Sequence, residues 1–185
     1  MRYDPTNWYW QASDGRVLSS AARAVVAAND PAYLAWLAAG NRATPWPVDA
    51  TGAQTTAALQ DVLTPFDIFV DLKAYAAFKR YAKETAGTAV NGMTYLTDRE
   101  TQSKMAAAVL LAQVNSAATF KWKVADGSFV TLDAATMITV ATAVGSYVQQ
   151  CFAAEATLVA GINAGTITRF EQVDAAFAEP LRAGG

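Results

Sequence analysis

The stretch that decides the fold runs from Thr94 to Ile162. It opens with Thr97-Asp98-Arg99-Glu100 and continues through the alanine-rich Met105-Ala106-Ala107-Ala108-Val109-Leu110-Leu111-Ala112. Then comes Phe120-Lys121-Trp122-Lys123-Val124-Ala125-Asp126-Gly127-Ser128-Phe129-Val130-Thr131-Leu132-Asp133, and a long run that meets its first glycine stop at Gly165 only after Gly145 and Gly161. Thr97 and Glu100 have the spacing of a capping box, in which the hydroxyl takes a free helix N–H and the carboxylate reaches back. That helix should run to about Ser116. Phe120 to Val124 and Ser128 to Leu132 flank Asp126-Gly127, a hairpin signal because glycine takes the positive φ of a tight turn. Asp133 is placed to cap the longest helix, which should reach about Asn163. The unit is complete as structure and carries no catalytic constellation.

Upstream lies a second hairpin, Thr88-Ala89-Val90 against Met93 to Leu96 across Asn91-Gly92. It follows a helix predicted over Ile68 to Thr85, with Phe69, Leu72, Tyr75, Ala76 and Ala82 on its buried side and Lys73, Arg80 and Lys83 on its wet side. A short helix over Arg169 to Ala178 closes the chain. The N-terminal part reads differently. Trp8-Tyr9-Trp10-Gln11, Asp14-Gly15 and Arg16-Val17-Leu18 predict another hairpin, with Ala24 to Ala27 as a third strand. Asn29 or Asp30 caps a small helix that has Pro31 in its first turn and Gly40 as its stop. Thr44-Pro45-Trp46-Pro47 reads as a connector without regular structure. A weaker helix over Gln54 to Leu63 precedes Pro65. These readings give an α+β chain of short β-hairpins and a helical bundle with one long C-terminal helix. It divides into a small N-terminal hairpin and helix module, 1–65, and a helix-hairpin-helix-hairpin-long-helix domain, 66–185. The pattern Trp-x-x-x-Asp-Gly occurs twice, at Trp10 to Gly15 and Trp122 to Gly127, too few copies to make a repeat architecture.

The composition excludes several classes. The 185 residues are 53% hydrophobic and carry a net charge of −2, which fits a packed globular chain without the basic footprint of a nucleic-acid binder. Lys79, Arg80 and Lys83 are the nearest approach to a basic patch, and they read as a solvated helix face. Cys151 is the single cysteine, so no internal disulfide can form. Ala134 to Ala154 carries no charge, but Thr136, Thr139, Thr142, Ser146, Gln149 and Gln150 argue against membrane insertion. Met1 to Pro5 lacks the apolar run of a signal peptide.

The chain has no histidine. That removes histidine-based triads, histidine metal sites and histidine pH switching. Cys151 falls at an apolar position of the long helix and reads as core rather than nucleophile. Glu84, Asp98, Glu100, Asp126, Asp133 and Glu155 form no catalytic motif, so the expectation is no enzyme activity, no metal and no cofactor. Two clusters remain. Trp8, Tyr9, Trp10, Trp36 and Trp46 read first as the core of the small module. Second, Trp8, Trp10, Trp36 and Trp46 could be an aromatic platform for sugar or peptide. Met137, Ala141, Val144, Val148, Cys151, Leu158 and Ile162 follow 4-and-3 spacing, broken by Glu155, with Thr139, Thr142, Ser146 and Gln149 opposite. This seam reads first as packing against the chain's own domain and second as self-association. Val144, Val148 and Leu158 are its interface candidates.

The run Asp71 to Ile162, about half the chain, resembles a domain of unnamed function found in phage and prophage tail-fibre proteins and their assembly factors. The resemblance rests on Lys79-Arg80 with Glu84, Val90-Asn91-Gly92, Leu96-Thr97-Asp98 with Gln102, and Phe120-Lys121-Trp122 with Asp126-Gly127. The helix ending Ile162-Asn163-Ala164-Gly165 completes it. Asp30 to Asn41 is similar to short phage tail proteins. The resemblance brings no catalytic residues. It implies a structural protein of a phage tail tip, baseplate or fibre base, made in the host cytoplasm and carried in the virion. Its partners would be other tail proteins, together with copies of itself as a homo-oligomer, a trimer by analogy with fibres that meet a tapered tip. The alternatives are a tail-fibre assembly chaperone not retained in the virion, and a carbohydrate-binding module built on the N-terminal tryptophans.

Overall fold

A computed structural model of the chain describes residues 3–178. The fold is α+β, with eight short strands and six α-helices among the described residues, one of them a long helix near the C-terminus. It divides into two compact units, Met1–Tyr75 and Ala76–Gly185.

In the first unit, β1 (Tyr9–Gln11), β2 (Val17–Ser19) and β3 (Ala24–Val26) form an antiparallel meander, and β4 (Thr44–Pro45) joins β1 in parallel. The sheet order is β3-β2-β1-β4. The strand at Thr44–Pro45 differs from the connector expected there. Proline is tolerated because β4 is an edge and needs few ladder bonds. The pairing is extended by the Trp46 N–H, which donates to the Gln11 carbonyl at 2.9 Å. Helix α1 (Pro31–Ala38) is capped by Asp30, whose carboxylate accepts the Tyr33 N–H at 3.0 Å. Gly40 follows at φ +85°. Helix α2 (Thr56–Leu63) is capped by Thr55 and runs into a 3-10 turn, Thr64–Phe66.

Residues 68–71 have no regular structure and are not helical as the sequence pattern suggests. The buried Gln60 holds them. Its Oε1 accepts the Val70 and Asp71 N–H groups at 2.7 and 3.0 Å, and its Nε2 donates to the Ile68 carbonyl at 2.9 Å. Ile68 and Val70 pack on the core of Trp10, Leu18, Trp46, Leu59 and Leu63. A side-chain amide that satisfies three backbone groups outcompetes the helix start that periodicity predicts. The first unit runs through Tyr75, beyond the 65/66 boundary read from Pro65.

Helix α3 (Leu72–Thr85) leads into the second unit. There the hairpin β5 (Thr88–Val90) and β6 (Met93–Tyr95) turns at Asn91 and Gly92, both at positive φ (51° and 79°), the geometry of a type I′ turn. Helix α4 (Arg99–Val114) follows. Its cap is Asp98, not Thr97: the Asp98 carboxylate accepts the Thr101 N–H at 2.9 Å. Glu100 pairs with Lys104 instead of reaching back. Hairpin β7 (Thr119–Lys123) and β8 (Phe129–Asp133) turns at Gly127, φ +86°. Asp133 caps α5 (Ala134–Asn163) by accepting the Thr136 N–H at 2.8 Å. Helix α6 (Phe170–Ala178) ends the described chain.

Helices α4 and α5 and the hairpins enclose Tyr95, Met105, Val124, Leu132, Met137, Val140 and Val144. Burying each such side chain is worth roughly 1.5–3 kcal/mol. Met137, Val140 and Val144 are spaced by three and four, so one stripe of α5 supplies the core. Ala82, read as buried, is exposed, because the inward turn of α3 at this point is taken by Glu84.

Candidate functional site

Helix α3 ends with carbonyls that have no partner inside the helix. In the second unit these are answered by side chains. Thr97, fully buried, donates its hydroxyl to the Glu84 carbonyl and accepts the Gly87 N–H at 2.9 Å. Tyr147 on α5 donates its hydroxyl to the Lys83 carbonyl at 2.7 Å. Glu84 itself is 4% exposed. Its carboxylate is bound by Nη1 of Arg80, whose Nε reaches Glu155 of α5 at 2.9 Å. Gln102 on α4 donates to the Thr97 carbonyl at 2.7 Å and lies 3.5 Å from Glu84. The Arg80 guanidinium also lies 4.5 Å over the Phe152 ring.

This cluster ties α3, α4 and α5 together. Arg80 was expected on the wet face and is instead the hub of the cluster, because two carboxylates converge on it. Burial opposes its charge, but the hydrogen bonds and charges of Glu155 and Glu84 outweigh that and hold its pKa above the ordinary value. Burial pushes the Tyr147 hydroxyl up to about 12, and it raises the Cys151 thiol as well. Both groups are therefore neutral at physiological pH. Every buried side-chain polar atom among the described residues has a hydrogen-bond partner. Both carboxylates are committed to one guanidinium, so the cluster is equipped to fix helix positions. General acid–base work would need a carboxyl within reach of a substrate proton. Among the described residues no group of three or more His, Cys, Asp or Glu could hold a metal ion.

The other acidic residues have structural partners. Asp98 and Asp133 cap helices, Asp126 accepts the Ser128 N–H at 2.8 Å in its turn, and Glu100 pairs with Lys104. The interface candidates Val144, Val148 and Leu158 are all buried within the single chain. They lie on the inward stripe of α5, where the seam's first reading, packing within the chain's own domain, places them, and they are not exposed for the self-association of its second reading. Glu155 breaks that seam because Arg80 meets it there. The aromatic platform is corrected too. Trp10 and Trp46 are each 2% exposed, and the Trp46 indole donates to the Thr55 carbonyl at 2.8 Å. Trp8 and Trp36 are half-buried and meet edge to face, with centroids 5.1 Å apart. A stacking platform needs free ring faces on one plane, and the four rings do not offer that.

What the sequence reading missed lies on the outside of α4. Leu110, Leu111 and Val114 are 66%, 51% and 82% exposed. Leu110 stands at the lip of a cleft of about 460 Å³ between α4 and α5, lined by Ala106, Val109, Ala141, Thr142 and Gly145. Neither α4 from Met105 onward nor α5 as far as Ala154 carries a charged residue. The signal was present in the sequence. A helix that is apolar on every side, as Ala106 to Ala112 is, cannot bury all of it in a small domain.

The fold and the satisfied polar cluster define a small α+β domain whose helices are locked by internal hydrogen bonds and whose free feature is an uncharged helical face. The chain belongs to the family described as Domain of unknown function (DUF4376), which matches residues 68–178. No curated protein and no solved structure matches the chain. Among the described residues no helix is long and apolar enough to cross a membrane.

Proposed function

We propose that this chain is a non-enzymatic assembly protein of a bacteriophage or prophage tail, a component of the tail tip, baseplate or fibre base that holds other virion proteins. The observation that carries this reading is the exposed apolar ridge Leu110, Leu111 and Val114 beside the uncharged cleft of α4 and α5. A contiguous apolar area of this kind marks a docking surface more often than a bare exterior. The resemblance of Asp71 to Ile162 to a domain of tail-fibre proteins supplies the context, and the Arg80 cluster supplies a rigid frame for the docking face.

Mass spectrometry of purified particles from a phage or prophage that encodes the chain tests the reading. Stoichiometric presence in tails is the expected result. Absence from mature tails, with fibres failing to assemble when the gene is deleted, would make it a tail-fibre assembly chaperone instead. Turnover of a glycan or peptide, lost on changing Glu84 or Glu155 to Gln, would overturn the non-enzymatic reading.

A further inference from the structure

We propose that the outward face of the β7–β8 hairpin, together with the start of α4, binds a short acidic peptide segment in which carboxylates flank an apolar side chain. The proposal depends neither on the tail assignment nor on what covers the α4 ridge.

Three observations lead to it. First, three lysines converge. Between Thr101 and Ala125 the charged side chains are Lys104, Lys121 and Lys123, all of them cations. All three line one pocket of about 280 Å³, and none of the residues lining it is acidic. Lys121 and Lys123 are two residues apart on β7, so they stand on one face about 7 Å from each other. Lys104 pairs with Glu100 on the surface of α4, and such exposed pairs open readily. Lys123 has no hydrogen bond or salt bridge among the described residues. In a chain of net charge −2 this is a local concentration of positive charge, complementary to carboxylates.

Second, the same pocket offers apolar contact. Phe129 lies directly across from Lys123 and is 68% exposed, and Leu96 is 40% exposed. The hairpin does not need the Phe129 ring for its own packing. Its inward side is supplied by Phe120, Trp122, Val130 and Leu132. A ring left outside beside lysines suits a ligand that sets an apolar side chain beside acids.

Third, the patch is short. Asp126 stands in the turn beyond Lys123, and Asp133 lies opposite Thr119 at the other end of the hairpin. A nucleic-acid strand would carry its next phosphates onto these carboxylates, at a cost. Recruitment to an anionic lipid surface takes roughly four to eight basic residues. Three lysines around an apolar centre match the few carboxylates of a short peptide.

Titration of the full-length chain with a short blocked peptide of alternating aspartate and leucine, followed by amide chemical shifts, tests this. Binding should saturate, shift the amides of Lys104, Lys121, Lys123 and Phe129 most, and weaken as salt is raised. The double variant Lys121→Glu with Lys123→Glu should raise the dissociation constant by at least about tenfold, equivalent to roughly 1.4 kcal/mol. Phe129→Ala should also raise it. All three side chains are exposed, so the melting temperatures of these variants should match wild type. Lys73→Glu, at an exposed lysine of the first unit, should leave the constant unchanged. On the wild-type chain, a peptide with asparagine in place of aspartate should not bind, which keeps the test valid even if a variant misfolds. The proposal is overturned by an acidic peptide that fails to saturate at millimolar concentration, by equal binding of the asparagine peptide, or by a constant insensitive to the lysine double variant. Tighter binding of oligothymidylate or of phosphatidylserine vesicles than of the peptide would overturn it as well.

Discussion

The first unit and the second treat their large apolar side chains differently. In the first, Tyr9, Trp10, Tyr33 and Trp46 are buried, and among the described residues no large apolar side chain is more than 56% exposed. In the second, the core is mostly aliphatic, and Leu110, Phe129 and Val114 each exceed 60% exposure. A unit of this small size has little interior, so each large ring must be spent inside. The second unit has a long helix and a buried ionic cluster to hold its frame, and it can leave aliphatic surface outside. On the proposed reading, the buried rings serve stability and the exposed leucines and valine serve docking.

The sharpest way to break that assignment is Trp46→Ala. Removing a buried indole typically costs about 3–5 kcal/mol, and here it also removes the indole's hydrogen bond to the Thr55 carbonyl. The expected outcome is loss of the first unit's cooperative transition in denaturant unfolding, followed by near-ultraviolet circular dichroism. A variant with unchanged unfolding would return the tryptophans to the role of ligand platform.

Next in size is Arg80→Ala in the second unit. It leaves Glu84 buried without its cation, and breaking a buried pair from one side costs about 3 kcal/mol or more. Arg80→Lys should recover only part of this, because one ammonium cannot present the guanidinium's fork to both Glu84 and Glu155. Thermal melts of the two variants give the test. Equal stability of the lysine variant and wild type would show that the cluster acts by charge alone.

These two sites also show what the sequence can and cannot disclose. The three hairpin turns, the long helix with its Asp133 start and the capped α1 were readable, because each is set by residues within a few positions of one another. The Arg80–Glu84 spacing is local as well, but Glu155 lies on another helix, and no local pattern shows that it converges on the same guanidinium. Thr97 looked like a cap because its spacing to Glu100 was right. The structure uses it to seal the end of α3, a long-range role that left capping to Asp98. The start of α3 differs from the expected one for a related reason: the Gln60 amide, beyond the reach of a helical-periodicity pattern, holds the backbone of Ile68, Val70 and Asp71 out of the helix. The exposed ridge on α4 was legible as composition, but only the packing of α5 against α4 reveals which of those apolar residues face outward.

A smaller effect is expected from Gly127→Val at the β7–β8 turn. At φ +86° a β-branched residue is strained, and the cost should be about 1 kcal/mol or more. Gly92→Val should behave alike at φ +79°. Both turns are local to the second unit, so the first unit's transition should stay in place. If either variant instead shifted both transitions together, the two units would not unfold as separate bodies.

The smallest effect is an acid response of the second unit's two main helices. The Thr136 N–H, and after it the Thr136 hydroxyl, hold the Asp133 carboxyl below its ordinary pKa. The Thr101 hydroxyl, and then its N–H, do the same for Asp98. A carboxyl whose folded pKa is depressed stabilises the fold fully above its unfolded value, and that contribution fades as pH falls through the folded value. Helices α4 and α5 should therefore loosen on acidification below the ordinary aspartate range. Asp133→Asn separates this from general acid unfolding, since asparagine caps as well as aspartate but does not titrate there. At neutral pH the variant should melt close to wild type, because the amide oxygen still accepts the Thr136 N–H. Wild type should lose melting temperature faster as the pH drops, so the two curves converge or cross. The contrast should be largest in the far-ultraviolet signal of α5, the helix that Asp133 caps. Parallel pH curves for wild type and Asp133→Asn would mean that the Asp133 charge adds nothing to its role as a hydrogen-bond acceptor, and the long helix would then depend on its buried stripe alone.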